Sequence, residues 1–145
     1  MFAYVIKQKL CERSILPIEA YFQQLRDAIV TCRVLQASNV TYDKRGTHEG
    51  LLRGELYFID GSVLHFREVV DTELTIDRLM YVYQYMTAGK ILIFRYDNTG
   101  HHKRLNLPTY PHHKHEGSED KVIASQVPDL TAVLCEVESL VQLPL

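Results

Sequence analysis

The segment "LPTYPHHKHEG", residues 107 to 117, sets His112, His113, Lys114 and His115 in four consecutive positions after a Thr-Tyr-Pro turn. A second pair, His101 and His102, lies ten residues upstream in "NTGHHKRLNL", so five of the seven histidines fall between 101 and 115. From Asn98 to His115 there is no Asp or Glu, while Lys103, Arg104 and Lys114 add fixed positive charge. Imidazole has an ordinary pKa of about 6.5, so it takes up or releases a proton near neutrality. Such a set suits a metal-independent ribonuclease, in which the ribose 2′-hydroxyl attacks the adjacent phosphate. That reaction needs a base, an acid, and a cation for the charge on the phosphorane.

Spacing narrows the roles. In an extended "PHHKH", alternate side chains share a side, so His113 and His115 face one way, His112 and Lys114 the other, and one pair alone faces a site. Arg95 and Asp97 likewise share one face of a strand in "KILIFRYDN", where an Asp hydrogen-bonded to a histidine would set its tautomer. The catalytic candidates are therefore His112, His113, His115, Lys114, Arg95 and Asp97. His101, His102, Arg104, Tyr96 and Tyr110 are candidate substrate contacts. This leading reading needs neither metal nor cofactor.

The alternative is a metal-dependent hydrolase or nucleotidyl transferase, because imidazoles are common ligands for zinc, nickel and copper. Against it, "HExxH" is absent, and Asp97, Glu116 and Glu119 form no recognised ligand spacing. A third reading makes the histidine loop a basic, non-enzymatic docking surface. No glycine-rich phosphate cradle occurs to support nucleotide binding.

The elements that must position these residues follow from periodicity. From Pro17 to about Leu35, apolar residues recur at spacings of three and four, which predicts an amphipathic helix. "VTYDKR", "ELYFID" and "SVLHFREVV" read as strands, the last two joined through Asp60-Gly61. "RLMYVYQYM" and "KILIFRY" form a second hairpin across "TAGK". The alternating Tyr81, Tyr83 and Tyr85 are core packing or a platform for stacking bases. Residues from Asn98 to about Gly117 read as a long functional loop. The closing "PDLTAVLCEVESLVQL" carries Leu130, Val133, Leu134, Val137 and Val141 on one helical face. The predicted fold is α+β: a mostly antiparallel sheet of about five strands with an N-terminal and a C-terminal helix on one face, in a single domain over 1–145.

Composition limits the classes. At 145 residues, 46% of them hydrophobic, the chain has apolar surface for one core. A formal charge of -2 and a pI near 6.4 confine any nucleic-acid footprint to a local patch. Cys11, Cys32 and Cys135 are an odd, widely spaced set that predicts no disulfide scaffold and a reducing, cytoplasmic setting; Cys32 and Cys135 are expected to be buried. "MFAYVIKQKL" lacks the charged lead and apolar run of an export signal, and no segment approaches a membrane span, so neither export nor membrane insertion is expected.

Two words in the chain, "FRYDN" at 94 to 98 and "PHHKH" at 111 to 115, with a histidine pair between them, resemble the TumE family of bacterial and archaeal toxins, long catalogued as a domain of unknown function. The resemblance spans most of the chain, from the first helix into the last. One departure is Thr99-Gly100, where Ala-Pro is expected before the first histidine pair. The resemblance implies a toxin of a two-gene toxin–antitoxin module, with a cognate helix-turn-helix antitoxin as partner; it names no biochemical target, and RNA is a candidate partner on the residues alone. The resemblance implies nothing about oligomeric state.

Overall fold

The computed structural model describes residues 16–143. Helix α1 (Ile18–Val30) leads into strands β1 (Leu35–Lys44), β2 (Glu49–Phe58), β3 (Val63–Asp71), β4 (Asp77–Met86) and β5 (Leu92–Asp97). A 3-10 helix (Gly100–Leu105), strands β6 (His113–Glu116) and β7 (Val122–Ala124), and helix α2 (Leu130–Leu140) complete the chain. The strands make one antiparallel seven-stranded sheet whose spatial order is the chain order. The class is α+β, as expected, with two strands more than the expected five or so. The questions raised by "MFAYVIKQKL" and Cys11 fall outside the described residues.

Of the additional strands, β6 arises inside the expected loop and β7 just beyond it, in a stretch given no element by the sequence. β6, "HKHE", has no apolar alternation, and β7 is three residues long, so neither carries a hydrophobic strand pattern. Their pairing is set by the sheet edge that β5 offers. The first helix also stops earlier than its periodicity suggests, at Val30 rather than near Leu35. Thr31 turns its hydroxyl back onto the carbonyls of Asp27 and Ala28, and Leu35 already opens β1. α2 starts at the Asp129 cap, whose carboxylate accepts from the Ala132 amide at 2.8 Å.

Both helices lie on one face of the sheet. Ile18, Tyr21, Phe22, Leu25 and Ile29 of α1 join Leu130, Val133, Leu134 and Val137 of α2 over Leu52, Leu56, Leu64, Phe66, Tyr81, Tyr83, Tyr85 and Phe94. Gly50 seats α1: a Cβ there would lie 2.7 Å from both Ile18 Cγ1 and Phe22 Cζ. The tyrosines of β4 are fully buried, which overturns their reading as a base-stacking platform. Cys32 is buried, but Cys135 is exposed, contrary to expectation, because it sits on the outer side of α2. Among the described residues, no helix is long and apolar enough to cross a membrane.

Buried hydroxyls need partners, and these have them. Tyr83 donates to Glu68 Oε2 at 2.7 Å, Tyr21 donates to Glu68 Oε1, and Arg78 Nη1 donates to the Tyr83 oxygen at 2.9 Å. Burial raises the pKa of Glu68 above its ordinary value, outweighing the two tyrosine hydrogen bonds and Arg78. A carboxyl whose folded pKa is raised stabilises the fold below its unfolded pKa and loses that contribution as pH climbs through the folded value. Urea unfolding of wild type and Glu68→Gln should therefore show their difference moving in favour of Gln between about pH 4.5 and pH 7. A difference independent of pH would show that Glu68 ionises in the core as readily as in the unfolded chain.

Candidate functional site

The face of the sheet opposite the helices is open, and two rows of side chains cross it. The register aligns Thr41, Arg53, Arg67, Val82, Asp97 and His113 from β1 to β6. The next row aligns Asn39, Glu55, His65, Gln84, Arg95 and His115. Strand alternation thus delivers Arg95, Asp97, His113 and His115 to one place on the open face. The 3-10 helix folds over this end of the sheet and adds His102, which sits at a kink in that helix.

Three imidazole rings meet there. His102 lies edge-on to His113 and His115, with ring centroids 4.8 and 5.2 Å away, and the rings of His113 and His115 are 5.0 Å apart. His113 and His115 are each 1% exposed. Two backbone carbonyls call for a proton on each Nδ1: Pro111 accepts from His113 Nδ1 and Glu119 accepts from His115 Nδ1, each at 2.8 Å. Both Nε2 atoms therefore turn inward. His113 Nε2 stands 3.0 Å from Asp97 Oδ1, yet it is a buried polar atom with no properly directed hydrogen bond.

Asp97 is held on several sides. Thr99 donates to its Oδ1 from the backbone amide at 3.0 Å and from its hydroxyl at 2.8 Å, and Arg95 Nε donates to Oδ2 at 3.1 Å. Burial pushes the Asp97 pKa up, but these bonds and the charges beside it prevail and hold it below the ordinary carboxylate value. Arg95 also reaches Glu119 at 2.9 Å and His115 Nε2 at 3.1 Å. Desolvation, with His113 and His115 alongside, lowers the pKa of His102 and favours its neutral form.

The remaining candidates sit elsewhere. Lys114 points to the helix face, where Nζ pairs with Glu136 of α2 at 2.9 Å and lies 4.8 Å from the centre of the Tyr96 ring. Tyr96 donates to the same Glu136. His112 stacks on Tyr81 and shares a 2.9 Å hydrogen bond with its hydroxyl. His101 and Arg104 are exposed on the 3-10 helix, and Tyr110 donates to the Gly100 carbonyl. The structure therefore separates Lys114, His112 and Tyr96 from the cluster and brings His102 into it. Glu68 lies on the helix face, across the sheet from Arg95.

Several contributors escaped the sequence reading. Thr99, noted there only as a departure from the expected Ala-Pro, is the anchor of Asp97. Arg53 and Arg67 are direct cross-strand neighbours, both exposed. Like charges so placed repel, and neither forms an ion pair among the described residues, whereas the next row closes on itself through Glu55 and His65 at 3.4 Å. Together with Thr41, Gln84 and Met86 they line an open groove of about 690 Å³. Gln84 links this groove to the cluster, its Oε1 accepting from Arg95 Nη1 at 3.4 Å.

Residues 23–142 match the family model described as Toxin TumE. No curated protein and no solved structure matches the chain.

Proposed function

The chain belongs to the TumE family of toxins, and we propose that it acts as the toxin of a toxin–antitoxin pair by cleaving RNA phosphodiester bonds on the open face of its sheet. One observation carries this reading. A buried His–Asp–Arg cluster, able to hold and move protons, shares a cross-sheet row, through Asp97 and His113, with an arginine couple that forms no ion pair among the described residues. Neighbouring strands are about 4.8 Å apart, so Arg67 is about 10 Å from Asp97 and Arg53 about 15 Å. That is the reach of a few nucleotides laid across the strands, with phosphates on the arginines and one phosphodiester at the cluster.

His102 is the member of the histidine set that touches both the buried pair and solvent. It is the group that can exchange a proton with a substrate hydroxyl or leaving group. Arg95 supplies positive charge for the transferring phosphate, and Asp97 fixes Arg95 and faces His113. A cognate antitoxin, by this reading, silences the protein by covering the open face.

The test is cleavage of a labelled single-stranded RNA by the purified chain, beside Arg53→Glu/Arg67→Glu. The charge-reversed protein should bind RNA on the order of tenfold or more weakly, with a shallower salt dependence, since two phosphate contacts are lost. Cleavage with an unchanged KM and salt slope would remove the groove from the substrate path. Absence of cleavage of any RNA by the wild-type protein would end the nuclease reading.

A further inference from the structure

We infer that His102, His113 and His115 form a binding site for a divalent first-row transition metal of the zinc class. The three ligand nitrogens all lie within 4.8 Å of one another. A point no more than about 2.8 Å from each therefore exists, and small side-chain rotations bring such a triad to the 2.0–2.1 Å of a zinc–imidazole bond. Three histidines with the fourth direction open is the ligand set of a catalytic zinc rather than of a closed structural one.

Two further features suit a cation there. Histidine ligands usually give their other ring N–H to a carbonyl or carboxylate, which points the remaining lone pair at the metal. Pro111 and Glu119 play that part for His113 and His115 through ordinary backbone bonds. His113 Nε2, buried without a properly directed hydrogen bond, then stands 3.0 Å from an Asp97 oxygen, a pair that either a proton or a bound cation beside them would satisfy. Asp97 Oδ2 is also 3.7 Å from His115 Nε2, so its charge serves all of the inward-facing side. Arg95 Nη2, 3.1 Å from His115 Nε2, competes for that lone pair, and its exposed partner Glu119 offers it somewhere to go.

As a statement about catalysis this rests on the nuclease proposal and changes one part of it: with a His102 nitrogen on the metal, a water that the metal would activate takes over the proton transfer otherwise assigned to His102. As a binding site it stands on geometry, and it is tested without RNA. The full chain, stripped with chelator and dialysed, is titrated with Zn²⁺ by calorimetry and with Co²⁺ by visible absorption. We expect one equivalent bound and the intense visible bands of four-coordinate Co²⁺. His113→Gln and the less buried His102→Gln should each weaken binding on the order of a hundredfold, while His101→Gln, one position along on the exposed side, should not. The second variant guards against loss of fold in the first. No binding by the stripped wild type, or undiminished binding by both His113→Gln and His102→Gln, would overturn the inference. Stoichiometric metal with no RNA cleavage would leave the site standing and remove the nuclease, and chelator-resistant cleavage without binding would do the reverse.

Discussion

Replacing His113 by Gln is expected to lower RNA cleavage on the order of 10²- to 10⁴-fold and to abolish growth inhibition on expression, while Lys114→Met leaves both near the parent level. The contrast tests the placement of the site, because the two residues are adjacent in a motif that offers them as equals. His113 faces Asp97 across the β5–β6 ladder and shares the open face with Arg95 and His115. Lys114 faces the other way, into the seam between the sheet and α2, where Glu136, Tyr96 and Phe94 surround it. Burial costs its charge something, but the bonds to Glu136 and Tyr96 outweigh that and raise its pKa. It is a fixed cation serving the fold. Single-turnover cleavage, read beside circular dichroism to confirm folding, decides the matter. Equal damage from both substitutions would mean that substrate reaches the helix face.

Phe94→Ala should cost about 3–5 kcal/mol of folding stability, a large share of the roughly 5–15 kcal/mol that holds a domain of this kind together. Phe94 is 1% exposed, packs against Tyr85 with ring centroids 5.4 Å apart and against Tyr96 at 5.3 Å. Its truncation leaves a cavity under β5, the strand that presents Arg95 and Asp97 on its opposite face. Urea unfolding should show the loss directly, and the thermal midpoint should fall on the order of 10–20 °C. Activity should follow the folded fraction, which separates this variant from His113→Gln. A cost under about 1 kcal/mol would mean that the core collapses around the missing ring.

Much of the fold is legible in the residues. The helices, the first five strands and both hairpins follow from periodicity, and turn chemistry appears at Gly61, which adopts φ 84° as its place after Asp60 requires. Counted from Asp60-Gly61 as a two-residue turn, the register would set residue 53 opposite 68; the observed pairing of Arg53 with Arg67 comes from a three-residue connection over 59–61, so the arginine couple was not legible in the sequence. Nor were β6 and β7, because their side chains are polar or few and only the neighbouring edge makes them strands. The alternation in "PHHKH" separates His113 and His115 from His112 and Lys114 from the sequence alone, but it does not say which pair is inside. His102 joins the cluster through a kinked 3-10 turn that no periodicity announces. Nor could the carbonyls of Pro111 and Glu119 be foreseen, since backbone groups carry no residue signature.

Because each strand pairs with the one made just before it, the sheet can grow in the order in which a ribosome releases the chain. The groove arginines emerge early and Asp97 in the middle. His113, His115 and the carbonyl of Glu119 come after it, followed by α2. A nascent chain is thus a sheet without its histidine cluster until β6 and the Glu119 carbonyl have been added to the edge that β5 offers.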